Sequence, residues 1–431
     1  MKVLLIHLSD GYLGGGGGIA MFRLHLGLRK AGIDSRILCR TKTNDSPYIS
    51  ELPRQPRLET LLKKVTSELG LNDIHLISSF KVKDEAVYQE ADVIDFQGIH
   101  TRTLSYLALP ALTKNKPAVF TMHDMWAFTG HCAYSYDCER WKIGCGQCPY
   151  PDIHPAIKRD GTRLELWLKK WAYNRSDLVF AAPSRWLVEQ AKQSAIGQFP
   201  IYLIPNSVDT EIYQPLDPEE CRAKLGIPPG KNVLMFAALK LDNHRKGGDL
   251  LLKALQSLPD SLKTETVLLT IGHGSEALAE IVGIPMINLG YVHDDCQKAM
   301  AYSAADLFLF PTRADIFGLV SIESQACGTP VISFRVGGVP DNVHPGLTGY
   351  LAEPENAEQF RDGIIQLLED KPLRNYMGEQ CRAIALKEYR LELQVQRYIE
   401  LYNYILYREG VHTKDNLVLL SSSESQVEHK L

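Results

Sequence analysis

The feature that most constrains this 431-residue chain is a repeated alternation of short apolar runs with helix-like segments. The runs are continuous, as in strands buried on both faces, so they predict parallel sheets covered by helices. The pattern stops at residues 201–215, where prolines and an asparagine interrupt it, and then starts again. Two α/β domains are therefore predicted, as the length also suggests. The predicted strands are Lys2–Leu8, Ser35–Cys39, Val93–Phe96, Ala118–Met122, Leu178–Ala182, Val233–Ala237, Val267–Ile271, Met286–Leu289, Leu307–Phe310, Val331–Ser333 and Gly349–Leu351.

The domain boundaries follow from the same pattern. The N-terminal domain is placed at 1–205 and the C-terminal domain at 206–384. A last helix over 385–407 needs a surface to cover, so it is predicted to pack back on the N-terminal domain. Residues 408–431 contain a Ser-Ser-Ser-Glu-Ser run and are predicted to be disordered. The apolar residues that share one face of the last helix are Leu391, Val395, Tyr398, Tyr402 and Ile405.

Composition excludes two classes of protein. The formal net charge of −4 does not indicate a general nucleic-acid binder, which needs a basic surface. The first apolar run is too short for a signal peptide, and no run reaches the roughly 18 apolar residues that span a bilayer. A cytoplasmic protein is predicted.

The glycine run Gly14–Gly18 lies between the first strand and the helix that reaches Lys30. Glycine permits close backbone approach, and a helix N-terminus offers N–H groups to an anion, so the run suits a diphosphate. A flexible surface turn is the alternative. The spaced glycines of the dinucleotide fingerprint are missing.

Two acids, Asp315 and Glu323, are separated by seven residues and follow a predicted strand. A helix is predicted to begin near Gly318, which places Glu323 in its second turn. Backbone N–H groups at Phe317–Leu319 could hold a phosphate, and the Glu323 carboxylate could accept hydrogen bonds from ribose hydroxyls. Two isolated, solvated acids are the alternative.

The surrounding motifs favour the first interpretation. The segment Asp-Ile-Phe-Gly…Glu…Ala-Cys-Gly-Thr-Pro-Val resembles the donor-site signature of family-4 retaining glycosyltransferases, whose usual motif is Glu, seven residues, Glu. The resemblance extends from residue 1 to about 407. Further matching motifs occur in the family's order: Gly17–Ala20, His123–Asp124, Pro183–Leu187, Ile204–Asp209, Lys246–Gly247, Gly272–Gly274, Leu289–Val292, Ala304–Pro311, Gly337–Asp341 and Gly346–Leu351.

The resemblance implies a fold of two Rossmann-like domains facing across a cleft, the GT-B architecture. It implies that Glu323 binds the donor ribose and that Lys246 neutralises the pyrophosphate. His123 would lie near the donor sugar, and Gly17 and Gly18 would approach the phosphates from the opposite domain. The residues that would hold the sugar or diphosphate are Asp315, Phe317, Gly318 and Leu319.

Two positions depart from the family pattern. Asp315 replaces the usual glutamate and is one methylene shorter. The arginine expected after the first strand of the second domain is absent, and Arg245 or Lys240 could supply that charge.

The implied chemistry is transfer of a sugar from a nucleotide-sugar to a glycan or lipid-linked acceptor in polysaccharide biosynthesis, with retention of configuration. Nucleotide-sugars carry a good leaving group, so such an enzyme mainly stabilises charge growing on pyrophosphate. The predicted catalytic residues are His123, Asp315 and Lys246. The chain has no Asp-x-Asp, the metal-clamping pattern of the other large transferase architecture, so no catalytic metal is expected.

Four cysteines, spaced C-x5-C-x6-C-x2-C, follow His123. Four thiolates suit tetrahedral Zn²⁺, so a structural zinc site is predicted, with His131 as a substitute ligand. Two disulfides or reduced cysteines packed against aromatic rings are the alternatives. The four residues are Cys132, Cys138, Cys145 and Cys148.

Residues 156–175 combine six cations with Trp167 and Trp171. A basic helix with tryptophans can rest on an anionic membrane surface, which suits a lipid-linked acceptor. Buried tryptophans with a solvated basic face are the alternative.

Three other functions compete with transfer. A catalytically impaired nucleotide-sugar-binding protein would keep the fold, and a nucleotide-sugar epimerase would use the same architecture. A nicotinamide-dependent oxidoreductase is suggested only by the glycine run.

Overall fold

The structure, a computed structural model, describes residues 1–11, 15–240, 243–273 and 282–408. The chain divides into two compact units. The first comprises Met1–Pro205 and the described part of Glu392–Leu431, and the second comprises Asn206–Leu391. All but the first residue of the predicted tail 408–431 lies outside the described residues.

The first unit is built on a seven-stranded, fully parallel sheet in the order β3-β2-β1-β4-β5-β6-β7. Its central strands are buried along nearly their whole length, which explains why their sequences are continuous apolar runs. In register, Leu5 lies between Ile37 and Asp95 on the flanking strands. The strands are β1 (Lys2–Ser9), β2 (Asp34–Thr41), β3 (Ile49–Glu51), β4 (Val93–Gln97), β5 (Ala118–Thr121), β6 (Leu178–Ala182) and β7 (Ile201–Leu203).

Helices connect these parallel strands, except that β2 and β3 are joined by residues 42–48 without a helix. Ser184 caps the helix that begins at Arg185 by accepting a hydrogen bond from the Leu187 N–H at 3.2 Å. The helices are α1 (Gly15–Lys30), α2 (Pro56–Glu68), α3 (Ala86–Glu90), α4 (Leu109–Leu112), α5 (Thr162–Tyr173) and α6 (Arg185–Lys192).

The glycine run differs from its prediction. Residues from Gly15 onward form the first turn of α1, whereas the sequence analysis placed them in a turn before the helix. The physical reason is space: a Cβ on Gly18 would lie 2.2 Å from the Gly11 carbonyl oxygen, and one on Gly17 would lie 3.1 Å from His123 Cγ. Close packing therefore requires glycine in this helical turn, despite the low helix propensity of glycine. Gly14 lies outside the described residues.

The second unit has a six-stranded parallel sheet in the order β10-β9-β8-β11-β12-β13. Apolar side chains from its strands and helices form one core, in which Phe236, Phe334 and Phe360 are fully buried. The strands are β8 (Asn232–Lys240), β9 (Thr266–His273), β10 (Met286–Asn288), β11 (Leu307–Phe310), β12 (Val331–Phe334) and β13 (Gly349–Ala352). The helices are α7 (Pro218–Lys224), α8 (Gly248–Gln256), α9 (Asp260–Thr264), α10 (Asp295–Ala304), α11 (Leu319–Ala326), α12 (Ala357–Glu369) and α13 (Lys371–Glu388).

The last helix, α14 (Leu391–Tyr407), belongs to the first unit from Glu392 on. Its Tyr402 hydroxyl donates to Asp95 Oδ2 on β4 at 2.7 Å, and its Tyr398 hydroxyl lies 3.2 Å from the Thr121 hydroxyl on β5. The sequence analysis began this helix at 385, whereas residues 385–388 belong to α13.

None of the described helices is both long and apolar enough to cross a membrane.

Candidate functional site

In the second unit, the loop from β11 to α11 carries the predicted donor residues. Gly318 precedes the helix with φ of 85°, in the left-handed region, and a Cβ there would lie 2.8 Å from Phe310 Cε1. The chain therefore turns sharply at Gly318 and α11 begins at Leu319. This confirms the helix start predicted near Gly318 and places the first N–H groups of α11 beside Phe317.

Asp315 lies at the centre of a cluster of charges. Its Oδ2 atom is 3.1 Å from Lys246 Nζ and 3.2 Å from Arg245 Nη1, and its Oδ1 accepts a hydrogen bond from the Phe317 N–H at 3.3 Å. The Asp315 side chain is 13% exposed and both cations are 23% exposed. One carboxylate thus holds two largely buried cations at one edge of the sheet.

The pKa values in the cluster follow from this geometry. Burial would raise the pKa of Asp315, but Lys246 and Arg245 outweigh it and hold that pKa below its ordinary value. Burial lowers the pKa of Lys246, and attraction to Asp315 offsets this in part. Asp315 is therefore a carboxylate at neutral pH.

A tight turn brings the two cations to Asp315 across about 70 residues of sequence. Gly247 adopts a φ of 70°, and a Cβ there would lie 1.8 Å from the Pro311 carbonyl oxygen. The Arg313 N–H donates to the Arg245 carbonyl at 2.8 Å, which ties the turn to the β11–α11 loop. Only glycine at position 247 permits this close approach.

Glu323 lies in the second turn of α11, as predicted, and is 5% exposed. Its Oε2 accepts a hydrogen bond from the Tyr302 hydroxyl at 3.2 Å. The preceding loop is tied to the same helix by Asn342, whose amide nitrogen donates to the Phe317 carbonyl while its Oδ1 accepts from Ser321 at 2.7 Å. The loop and the helix therefore form one rigid element.

The sequence analysis missed the role of Arg313 in supporting this loop. The Arg313 guanidinium donates twice to Asp249, at 2.6 and 2.7 Å, and once to Glu355 at 2.9 Å. Hydrogen bonding to Arg313 lowers the pKa of Asp249 to about 2. The Pro-Thr-Arg run at 311–313, two positions before Asp315, was the signal available in the sequence.

In the first unit, His123 follows β5 and ends a chain of polar side chains. Its Nε2 donates to Gln97 Oε1 at 2.8 Å, because the Gln97 amide nitrogen is committed to Asp95 Oδ2 at 2.9 Å. Asp95 also accepts from Thr121 at 2.8 Å and from Tyr402. Asp95, Gln97 and Tyr402 were missed by the sequence analysis, although Asp95 and Gln97 are polar residues in an apolar strand.

This environment keeps His123 neutral. Burial, aided by the nearby His7, lowers the pKa of His123 to about 3. With its proton on Nε2, the neutral ring leaves Nδ1 as an acceptor. Gly17 lies beside the same ring, since a Cβ on it would be 3.1 Å from His123 Cγ. Burial also raises the pKa of Asp95 to about 6.

A second histidine stands beside this site. His100 Nε2 lies 2.7 Å from Asp124 Oδ2, and Asp124 Oδ1 accepts from the Trp126 N–H at 2.8 Å. Burial would lower the pKa of His100, but Asp124 outweighs it and raises that pKa above its ordinary value. The pKa values of His100 and His123 are therefore shifted in opposite directions, although the two residues lie on neighbouring loops.

The four clustered cysteines are free thiols. The Cys145 sulfur accepts from the Gly130 N–H at 3.3 Å, and the Cys148 sulfur lies 3.2 Å from His131 Nε2. Burial raises the pKa of Cys132 to about 12 and of Cys145 to about 11. Among the described residues, no group of three or more His, Cys, Asp and Glu side chains could hold a metal ion as placed. The zinc site at Cys132, Cys138, Cys145 and Cys148 stays a prediction.

Two family models match the chain, one in each half. Residues 14–212 match the model described as Glycosyltransferase Family 4. Residues 217–383 match the model described as Glycosyl transferases group 1. The second match contains Arg245, Lys246, Asp315 and Glu323.

A curated relative and two solved structures are similar to the chain. N-acetyl-alpha-D-glucosaminyl L-malate synthase of Bacillus anthracis is 27% identical over 248 residues, which are 56% of this chain and 62% of the relative. The chain thus spans about 62% of that relative's length, and about half or less of the other curated relatives it matches.

Among solved structures, sucrose-phosphate synthase of Thermosynechococcus elongatus aligns with a TM-score of 0.70 and 20% identity, over 94% of this chain and 99% of that one. HepE of Anabaena, in complex with UDP-glucose, aligns with a TM-score of 0.67 and 17% identity, over 94% and 99%. The likeness in fold confirms the predicted GT-B architecture of two parallel-sheet α/β domains.

Proposed function

The chain belongs to the family-4 glycosyltransferases, and from that premise we propose that it transfers a sugar from a nucleoside diphosphate sugar to an acceptor. We propose further that the acceptor is a glycan or a lipid-linked group, that configuration at the anomeric carbon is retained, and that the reaction serves polysaccharide biosynthesis.

The paired cations at Asp315 carry this proposal. In the transfer step the bond from the anomeric carbon to the diphosphate oxygen breaks, and a bond to the acceptor oxygen forms on the same face of the sugar. The proton of the acceptor hydroxyl passes to the departing diphosphate as that bond is completed. Negative charge then accumulates on the departing diphosphate. Arg245 and Lys246, held at 3.2 and 3.1 Å from Asp315, are fixed before the donor arrives and so stabilise that charge without reorganisation.

The remaining donor contacts are assigned by position. The start of α11, at Phe317, Gly318 and Leu319, offers N–H groups and the positive end of a helix dipole to a phosphate. Glu323, with its carboxylate oriented by Tyr302, is proposed to accept hydrogen bonds from ribose hydroxyls. Asp315 is proposed to position the two cations.

In the other unit, His123 is the proposed catalytic residue, with Gly17 and Gly18 as proposed phosphate neighbours. Because its pKa is about 3, His123 acts as a neutral hydrogen-bonding group at physiological pH. No catalytic metal is proposed, since cations and helix N–H groups can take the charge that a metal would otherwise neutralise.

The test is a donor screen followed by a transfer assay. UDP-glucose is the first donor to try because HepE, a protein of similar fold, is in complex with it. Transfer or donor hydrolysis that persists in EDTA and is lost in Glu323→Ala supports the proposal. Tight donor binding without any turnover would instead identify a catalytically impaired nucleotide-sugar-binding protein, and release of epimerised donor would identify an epimerase.

A peripheral contact with an anionic membrane surface is proposed for the first unit. On α5, Trp167 is 59% exposed and Trp171 is 37% exposed, which contradicts the alternative of buried tryptophans. On α2, Leu61, Val65 and other apolar side chains face outward while Glu59 is buried, the reverse of an ordinary surface helix. Cosedimentation with phosphatidylglycerol vesicles tests it: Trp167→Ser should weaken binding, and equal binding to phosphatidylcholine vesicles would contradict it.

The structural zinc site is a separate proposal with its own measurement. Metal analysis of the purified chain should find about one zinc ion per chain if the four cysteines bind it. A metal-free chain with four titratable thiols at these positions would reject it.

A further inference from the structure

A cavity in the first unit is unused by the proposed donor chemistry. Its volume is about 330 Å³, and its walls come from the end of α2 and from the loops at residues 70–75, 101–102 and 154–158. Pockets of this size accept small-molecule ligands. The residues on which the argument depends are Lys63, Asn72, Asp73, His75, Arg102 and Lys158.

Two buried polar groups in the cavity wall have no hydrogen-bond partner among the residues that the structure describes. These are the side-chain nitrogen of Asn72 and Nδ1 of His75, and His75 is only 7% exposed. An unpaired buried polar group costs about 1–3 kcal/mol, so folded proteins rarely leave two together. Burial lowers the pKa of His75, which keeps its ring neutral. A ligand bearing hydroxyl or oxyanion acceptors would pair both groups.

The charged residues of the wall favour an anion. The cavity is lined by three cationic residues, Lys63, Arg102 and Lys158, and by one carboxylate, Asp73. Both Asp73 oxygens are already engaged, since they accept the N–H groups of Thr101 and Arg102 at 2.9 Å each. Lys158 is also paired with Glu68 at 2.9 Å, which leaves Lys63 and Arg102 as the main cations for a ligand.

The backbone of the wall is held in an unusual conformation. Asp73, Thr101 and Arg102 all have φ values of 60° to 69°, in the left-handed region that non-glycine residues seldom adopt. The Asp73 carboxylate fixes the other two through their N–H groups. Such strain persists where the surrounding structure enforces it, and it is often found at binding sites.

The position of the cavity connects it to the proposed reaction. Thr101 and Arg102 directly follow His100, whose ring contacts Asp124, the neighbour of His123. These loops lie at the carboxyl ends of β4 and β5, where open parallel sheets bind ligands. We infer that the cavity binds a phosphate-bearing, hydroxylated group of the acceptor, an inference that rests on the proposed function. The group can belong to a soluble sugar phosphate or to a lipid headgroup.

The test is calorimetric titration with sn-glycerol 3-phosphate, a hydroxylated phosphate that is not a sugar donor, and with glycerol as the uncharged probe. All titrations use the full chain carrying Lys246→Met, so that the proposed diphosphate site does not contribute. Binding of the phosphate but not of glycerol is expected. Adding the double substitution Lys63→Met and Arg102→Met should weaken the affinity for glycerol 3-phosphate by about tenfold or more. The control is Lys64→Met, which removes an exposed lysine of α2 and should leave that affinity unchanged.

The variant Asn72→Leu gives a second test, because its expected combination of melting temperature and phosphate affinity would not result if Asn72 were purely structural. Removing the unpaired amide should leave the melting temperature unchanged or higher while phosphate binding weakens, because the amide costs stability when no ligand is bound. Loss of stability together with unchanged phosphate binding would overturn the inference.

The source of the group is assigned by competition. Phosphatidylglycerol vesicles that displace glycerol 3-phosphate from the chain indicate a lipid source. The same vesicles should then bind the double variant more weakly. Failure of the vesicles to compete indicates a soluble phosphate. Phosphate binding that is equal in the double variant rejects the cavity whatever the source.

The two proposals fail in different ways. If nucleoside diphosphates bind the unmodified chain and glycerol 3-phosphate does not, the cavity inference is wrong and the proposed function stands. If glycerol 3-phosphate binds but no nucleotide does, the proposed function is wrong, and with it the assignment of the ligand as an acceptor.

Discussion

Each unit carries a polar site at the carboxyl ends of its parallel strands, but the two sites treat charge in opposite ways. In the second unit, the Asp315 carboxylate lies within 3.2 Å of two cations, Arg245 and Lys246, so the three groups together keep one excess positive charge. In the first, His123 is neutral and bound to neutral Gln97. The contrast indicates a division of roles: one site is preorganised for charge that develops on a leaving group, and the other orients a neutral ring.

The largest effect is expected from removing the cations of the charged site. Lys246→Met should lower the turnover number by about 10²–10³-fold, because the charge on the departing diphosphate loses a fixed partner. Steady-state kinetics with saturating donor measures it. The matched control is Lys253→Met, an exposed lysine on α8 of the same unit. An equal loss in both variants would remove the special role of Lys246.

Asp315→Asn separates positioning of the cations from binding of the donor. The change frees Arg245 and Lys246 from their shared carboxylate, so the affinity for a nucleoside diphosphate should rise by several-fold. Turnover should fall by about tenfold to a hundredfold, since the cations are no longer held in one geometry. Calorimetry and kinetics on the same sample check both. Weaker nucleotide binding would show that Asp315 contacts the donor directly.

A smaller loss is expected when the neutral site loses its orienting partner. Gln97→Leu removes the acceptor for His123 Nε2–H and should lower turnover by about tenfold with little change in donor affinity. Gln97→Glu places a carboxylate there, which should raise the pKa of His123 and introduce a new pH dependence of turnover. An unchanged pH profile in that variant would exclude His123 as a group acting on the reaction.

A buried, neutral histidine of the first unit, His25, predicts a modest effect of pH on the free energy of unfolding. Burial lowers the pKa of His25 to about 4, so below pH 6.5 the unfolded chain binds a proton that the folded chain does not. Stability should therefore fall as the pH drops from 6.5 towards 4, by about 1 kcal/mol at pH 5.5 from this residue. Denaturant unfolding of the wild type and of His25→Gln should give free energies of unfolding that differ by a constant amount above pH 6.5, and by a changing amount below it. A constant difference through pH 5 would contradict the assignment.

Much of the fold could be predicted because its signal is local. Strands such as Leu178–Ala182 and Leu307–Phe310 are buried throughout, and continuous apolar runs mark them in the sequence. The glycine turn of α1 could not be predicted as helix, because its reason is the space available near His123 and Gly11. Helix α2 was missed because its apolar side chains face outward and its buried residue is Glu59.

The candidate site was predictable residue by residue but not as an arrangement. A family motif marked Lys246, the donor-site signature marked the position of Asp315, and Arg245 was predicted only as a substitute for a missing arginine. The pairing of Asp315 with the two cations joins positions 69 and 70 residues apart and depends on the turn at Gly247. The contact of Tyr402 with Asp95 joins residues 307 positions apart. No local pattern encodes such contacts, since they arise only when the strands and α14 are assembled.

The most direct measurement is calorimetric titration of UDP, GDP and ADP, and of their sugars, into the wild type and into Lys246→Met. The account predicts that at least one diphosphate binds the wild type as a single site, and that the affinity falls by about tenfold or more in Lys246→Met while Lys253→Met is unaffected. Absence of binding by every nucleotide, or equal binding in all three proteins, would contradict the claim that Arg245, Lys246 and Asp315 form a nucleotide-sugar donor site.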